Sequence, residues 1–287
     1  MGKAIYEAFP DVRDVYETAD RILGYSITEL CFTGPADALQ QTKHAQPALL
    51  LTEIAHLSAL RLRYGKEFVP ASLVAGHSLG EYAALVAAEA LTFEDGLRLV
   101  AERGRLMHEA GSALGEPTGM AAVIGMEDEV LRRLCGSAGV DIANMNAPGQ
   151  VVISGPLEAL ETVSKLAKEA GARRVVPLQV SAAFHSRWMR PMSGQFAESL
   201  AEVPFGEPQV PVVANVTARP VRSASDIPGL LAAQTYSPVR WVESVEYMVS
   251  QGVTTFVEIG PGKVLAGLVK RIVPEAQTIS SEELLPE

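Results

Sequence analysis

Apolar residues recur at helical spacing through residues 5–23, with Phe9, Val12 and Val15 on or near one face. A second helical pattern covers 46–60, with Pro47 placed in its first turn, where a missing N–H costs nothing. A short continuous apolar run over 71–75 then passes through Gly76-His77-Ser78-Leu79-Gly80 into helices expected over 81–90 and 93–110. Residues 111–119, rich in Gly, Ser and Pro, read as a boundary. Beyond them the rhythm changes. Strands are expected at 120–124, 140–145, 150–154 and 173–178, with helices at 127–135 and 157–170. Asn146-Ala147-Pro148-Gly149 supplies the turn between the two middle strands. After His185 the longer rhythm returns, with helices at 189–201, 227–235, 239–251 and 263–273 and strands at 210–216 and 254–259. The acidic stretch 280–287 is expected to fray. There is no internal repeat and no low-complexity segment.

Strands and helices in alternation define an α/β protein. The order β-α-β-β-α-β over 113–185 is the ferredoxin-like pattern, inserted as a small subdomain between two halves, 1–112 and 186–287, of a larger one. The larger part is expected to be a hydrolase-like core with a mostly parallel sheet.

Composition narrows the classes. A chain of 287 residues can bury a large core, and its formal charge of −10 argues against a nucleic-acid partner. No apolar run approaches the ~20 residues of a membrane span, and residues 1–13 carry charges where a secretory signal needs an apolar centre. Cys31 and Cys135 stand alone, without metal-type spacing, which fits unpaired thiols in a reducing, cytoplasmic setting.

The chemistry concentrates at residues 76–80. Strand, sharp turn and helix are the context that a G-x-S-x-G nucleophile elbow requires. Gly76 and Gly80 would remove Cβ atoms from a tight turn, leaving Ser78 at the tip. The N–H groups of Leu79 and its successors, at a helix N-terminus, would face a developing oxyanion. The competing reading is a Gly-rich turn with a helix-capping serine. A serine nucleophile needs a base, and the chain has five histidines. His77 lies inside the elbow, and His44, His56 and His108 sit in ordinary helical or polar contexts. His185 follows the small-residue stretch Val180-Ser181-Ala182-Ala183-Phe184, at the return from the inserted subdomain, where a cleft is expected.

Five stretches together resemble the malonyl-CoA:acyl carrier protein transacylase family, which includes the polyketide acyltransferase domains. They are Gly76-His77-Ser78-Leu79-Gly80-Glu81, Glu102-Arg103-Gly104, Phe184-His185-Ser186, Gln234 before Tyr236-Ser237-Pro238-Val239-Arg240-Trp241, and Glu258-Ile259-Gly260-Pro261-Gly262-Lys263. The resemblance runs over essentially the whole chain. It implies transfer of a malonyl group from CoA to an acyl carrier protein through a malonyl-Ser78 intermediate. His185 would be the base, oriented by the backbone carbonyl of Gln234. Arg103 would grip the malonyl carboxylate with two parallel N–H bonds, Leu79 would contribute at the substrate, and Phe184 would restrict α-branched acyl groups. Met107, one turn after Arg103, either lines the pocket or packs in the core. Asn144 and Asn146 either face the cleft or, for Asn146, form the turn. No cofactor is implied, CoA entering only as the thioester substrate, and family members commonly work as monomers. Since carrier proteins of this pathway are acidic, a local basic surface is expected. Arg187 and Arg190 beside the base come first, then Lys168, Arg173, Arg174, Lys270 and Arg271.

One departure stands out. Family members open with a strand ending in Gly-Gln-Gly-Ser-Gln, whose first Gln gives a second oxyanion donor, whereas this sequence opens on Met1-Gly2-Lys3. Either the sequence begins inside a longer gene product, or the strand is absent, which would leave an open edge in the main sheet and one donor fewer, worth about 10²–10³ in rate in other enzymes. Three classes follow: a malonyltransferase for fatty acids or polyketides, an α/β-hydrolase esterase, and a poorly active or docking form. The esterase scheme places its histidine near the C-terminus, and none follows His185 here.

Overall fold

The computed structural model describes every residue except 66–70, Leu114, Ser181 and Glu287. Leu114 of the expected boundary, Ser181 of the stretch before His185 and Glu287 of the tail therefore lie outside the described residues. The strands in chain order are β1 (Val74–Ala75), β2 (Thr118–Ile124), β3 (Asp141–Ala147), β4 (Gln150–Pro156), β5 (Arg174–Pro177), β6 (Val212–Ala214), β7 (Arg219–Pro220), β8 (Thr255–Glu258) and β9 (Gln277–Ser280).

The larger part is built around the helix Thr42–Tyr64, whose Leu50, Leu51, Ile54, Ala55, Ala59 and Leu60 are buried in the main core. It packs along the helix Phe93–Ala113. They approach closely at Gly104, where an added Cβ would lie 3.0 Å from the Thr42 carbonyl oxygen and 3.1 Å from Lys43 Cα. This is why a glycine follows Arg103: the approach carries the arginine against the first turns of the other helix.

The strands of this part are short. β1 pairs with β6 in parallel, β7 adds antiparallel to β6, and β8 and β9 form a separate parallel pair. Two of these three pairings are thus parallel, and β1 lies at the edge of its sheet. In the inserted subdomain the order is β3-β4-β2-β5, antiparallel throughout. That is the arrangement in which a βαββαβ chain interleaves its two halves. Alternation along each strand gives the sheet two faces. Ala121, Val123, Val151 and Ile153 pack under the helices Asp128–Ala138 and Leu157–Glu169. Met120, Ala143 and Val152 form a second cluster, with Phe184 against it, on the side of the larger part.

Several expectations are corrected. The first amphipathic stretch is not one helix but Lys3–Ala8, a 3₁₀ turn Pro10–Val12 and Arg13–Leu23, because Pro10 cannot continue the ladder. Pro47 lies in the second turn of its helix rather than the first, since the helix starts at Thr42. The tail does not fray through 280–286. Ser280 ends β9 and caps the helix Ser281–Leu284 by accepting from Glu282 N–H, while Ser281 and Leu285 are buried. Its acidic residues are engaged: Glu282 accepts from Gly262 N–H and Glu283 pairs with Lys263.

Candidate active site

Strand β1 delivers the chain into the turn, and the helix Gly80–Ala87 carries it away. A Cβ on Gly76 would lie 1.9 Å from the Gly80 carbonyl oxygen, so only glycine fits there. Gly80 is different. An added Cβ would meet nothing within 4 Å, so the expectation that both glycines relieve a clash is corrected. Ser78 sits at the tip with φ of 52°, a left-handed conformation that non-glycine residues rarely hold. Asn215 stabilises it from the end of β6, accepting from Ser78 N–H at 2.7 Å and donating its amide to the Gly76 carbonyl at 2.7 Å. The Gly80 N–H is engaged by the His77 carbonyl at 3.0 Å. Within the turn this leaves Leu79 N–H without an acceptor among the described residues, which narrows the expected set of oxyanion donors to one.

His185 is buried, and its Nδ1 lies 2.8 Å from the Gln234 carbonyl oxygen. A carbonyl can only accept, so the proton is on Nδ1, and Nε2 is free to accept from the Ser78 hydroxyl 2.7 Å away. Burial, with the Arg103 charge second, pushes the imidazole down to about 3. The neutral form therefore prevails at physiological pH.

Arg103 is 1% exposed, and no carboxylate stands within ion-pair distance of it among the described residues. Nη2 donates to Ser78 Oγ at 3.1 Å and to Gln234 Oε1 at 3.0 Å, and Nη1 donates to Gln46 Oε1. Nε has no partner. The guanidinium also lies 5.8 Å from the Tyr82 ring centroid, within cation–π range. Burial drives its pKa down, while Tyr82 and Glu81 lift it. A buried, under-paired cation touching the serine hydroxyl is a receptor for an anionic group on whatever the serine attacks.

Ser78, Leu79, Arg103, Met107, Phe184 and His185 line one cavity of about 630 Å³. Its rim is exposed at Gln40, Gln41, Gln179 and Val180. Met107 is both buried and cavity-lining, with its sulfur 3.4 Å from Gln46 Nε2, so its two readings are compatible. Phe184 holds its backbone through Ser154 Oγ, which donates to its carbonyl at 2.8 Å. Asn146 is in β3 rather than in the turn, which comprises Pro148 and Gly149. Its Oδ1 is 2.8 Å from His77 Nε2. Asn144 sits where β3 bridges to Val239 of the larger part.

The basic residues expected at a docking face are apart from the cavity walls. Arg187 is held in a two-pronged pair with Asp141, and Arg190 stacks 4.7 Å over the Tyr236 ring. Gln46, Glu81 and Asn215 escaped sequence reasoning. Each is a common polar residue whose partner lies far along the chain, and only Glu81, directly after the elbow, carried a positional hint.

A serine whose proton can pass to a neutral histidine, beside a buried guanidinium, defines an acyl-transfer centre with an anion subsite. Comparison with known proteins agrees. The family described as Acyl transferase domain matches residues 1–287, and the chain belongs to it. It is 44% identical over 285 residues to the malonyl CoA-acyl carrier protein transacylase of Bacillus subtilis strain 168, covering 98% of this chain and 88% of that protein. It is 40% identical over 284 residues to the polyketide biosynthesis malonyl CoA-acyl carrier protein transacylase PksC of the same strain, covering 97% and 94%. Among solved structures it is similar to a malonyl-transacylase in complex with its type II PKS acyl-carrier protein. There the TM-score is 0.93 and the identity 41%, over 98% of this chain and 90% of that one.

Proposed function

We propose that this protein is an acyl-carrier-protein S-malonyltransferase, moving malonyl from CoA to the phosphopantetheine thiol of a carrier protein. The observation that carries the reading is the shared contact at Ser78 Oγ, with His185 Nε2 at 2.7 Å on one side and Arg103 Nη2 at 3.1 Å on the other.

The Ser78 hydroxyl attacks the thioester carbonyl as His185 Nε2 takes its proton. The oxyanion receives Leu79 N–H. Collapse breaks the C–S bond, and the departing CoA sulfur takes the proton back from His185, leaving malonyl esterified on Ser78. Carrier-protein thiol then gives its proton to His185 and attacks the ester, and the breaking C–O bond releases Ser78 Oγ, which takes that proton back from Nε2. Arg103 holds the free carboxylate throughout. Pairing that cation also relieves the second cause of the low imidazole pKa, so binding a malonyl group strengthens the base. Gln234 orients His185 through a neutral carbonyl and adds no second anion beside the substrate.

No cofactor enters these steps. Because one serine serves both thiols, donor and acceptor visit in turn. No helix among the described residues is long and apolar enough to cross a membrane. The buried free thiols of Cys31 and Cys135 support an enzyme working in a reducing compartment, the cytoplasm. The polyketide-associated relative marks the alternative acceptor, a polyketide carrier, served by the same chemistry.

Intact-mass spectrometry after mixing with malonyl-CoA tests the reading. The parent protein gains one malonyl group and Ser78→Ala gains none. Acylation of Ser78→Ala, or none of the wild type, refutes it.

A further inference from the structure

Glu81 is almost fully buried, directly beneath the elbow, and has no part in the steps above. Its Oε2 accepts from Gln234 Nε2 at 2.6 Å and from Asn215 N–H at 3.2 Å. Gln234 and Asn215 are the two residues that arrange the reacting groups. The Gln234 backbone carbonyl orients His185, and its side-chain oxygen accepts from Arg103. The rest of its amide donates to the Ser78 carbonyl at 2.9 Å. Asn215 holds both arms of the turn. The Gln234 amide is therefore fully used: its oxygen faces a guanidinium that can only donate, and its nitrogen faces a carbonyl and, when Glu81 is ionised, a carboxylate, which both accept.

We propose that Glu81 is a positioning residue of the transfer reaction, acting through Gln234 on His185 and Arg103 and through Asn215 on Ser78. This rests on the malonyltransferase reading. An ionised acceptor makes shorter and stronger bonds than a neutral one, and within a buried network each bond restricts its neighbours. Glu81 is also an acidic group whose field reaches the Arg103 guanidinium. Its negative charge, one hydrogen-bonded amide away, lowers the cost of keeping that cation buried while the cavity holds no anion. Burial raises the Glu81 carboxyl to about 7, with the Gln234 and Asn215 bonds and Arg103 pulling it back, so it is mainly ionised at pH 8.

The test is single-turnover acylation at pH 8 with malonyl-CoA and acetyl-CoA, comparing wild type, Glu81→Gln and Glu81→Asp. Glu81→Gln keeps the shape and an acceptor but loses the charge. The expected result is a malonyl acylation rate constant about tenfold lower in the fraction that reacts. The malonyl-to-acetyl ratio of kcat/KM rises, because the guanidinium has lost its countercharge and a neutral acyl group leaves it fully unpaired. Glu81→Asp keeps the charge with a shorter reach, so its rate constant falls while its ratio stays at the wild-type value. Damage to folding alone would lower the reactive fraction without touching the rate constant or the ratio. A wild-type rate constant in either variant, or an unchanged ratio in Glu81→Gln, overturns the proposal. Should Glu81→Gln fail to fold, Glu81→Asp alone decides it by the rate constant. Failure of wild type to acylate would instead refute the malonyltransferase reading itself.

Discussion

Ser78 and His185 share an unusual backbone state as well as a hydrogen bond: both are non-glycine residues held in the left-handed region, at φ of 52° and 55°. Each lies at an abrupt change of direction, Ser78 between β1 and its helix and His185 at the return from the inserted subdomain. Strain of this kind costs on the order of 1–3 kcal/mol per residue and persists only where surrounding bonds over-determine it. Asn215 does so for Ser78, and the Gln234 carbonyl and Ser154, through Phe184, do so for His185.

The two elbow glycines are unequal, and substitution will separate them. Gly76→Ala drives a methyl group into the Gly80 carbonyl, so acylation falls by at least about 10²-fold, as expected when reacting groups shift by an ångström. Gly80→Ala enters open space at the start of a helix and raises stability by about 0.5–1 kcal/mol. Thermal unfolding and acylation rates of the two variants check both statements.

Arg103→Ala removes the cation that an acyl carboxylate would meet. Malonyl kcat/KM falls about 10²–10³-fold, the usual effect of truncating a buried charge pair, while acetyl-CoA gains in relative terms. Steady-state kinetics with the two thioesters measure the ratio. An unchanged ratio would remove Arg103 from acyl selection.

For carrier-protein docking, Arg190 and Arg187 are distinguishable. Arg187 is already neutralised by Asp141, whereas the Arg190 guanidinium rests on the Tyr236 face without an acidic partner within ion-pair distance among the described residues. Reversal at Arg190 to Glu raises the carrier-protein KM more than the same change at Arg187, and added salt weakens wild-type docking. Equal effects at the two positions, or kinetics indifferent to salt, would exclude this face.

Stability will fall as pH rises through neutrality, with Glu53 a main cause. This carboxyl is buried on the helix Thr42–Tyr64, one of its oxygens lacks a partner, and burial raises it to about 8. Because the folded value is raised, the folded chain binds more protons than the unfolded one between about 4.5 and about 8. Its stabilisation is thus complete below the unfolded value and lost as pH climbs through the folded one, at up to about 1.4 kcal/mol per pH unit. Calorimetric Tm values from pH 7 to 9, above the range in which the lowered histidines contribute, will show the decline, and Glu53→Gln will flatten it.

The elbow and the βαββαβ order were legible because both are local. A glycine at a sharp turn, and a period that switches between two residues and 3.6, leave marks within a dozen positions. Ser78, His185, Arg103 and Gln234 were singled out by motif and resemblance, and the structure brings all four together. Gln46 and Asn215 left no such mark, and Glu81 only its place after the elbow, because a buried polar network is defined by partners far apart in the chain, 57 residues for Arg103–Gln46 and 153 for Gln234–Glu81. Helix limits failed for a different reason. Pro10 and Pro47 look alike in sequence, yet one breaks a helix and the other is absorbed, depending on the packing around each.

β3 joins the two parts of the molecule at several points along its length. Met145 N–H donates to the Val239 carbonyl and Val239 N–H to the Ala143 carbonyl, both at 2.9 Å, while Asn146 reaches the elbow through His77. A jaw hinged between the two parts would have to break these bonds at every opening. The seam ties the small subdomain to the elbow itself, since His77 belongs both to the seam and to the cavity wall. It also marks the boundary for any chimera. An exchanged small subdomain must carry residues matched to Val239 and His77, whereas its outer helices, facing away from the cavity, are open to replacement.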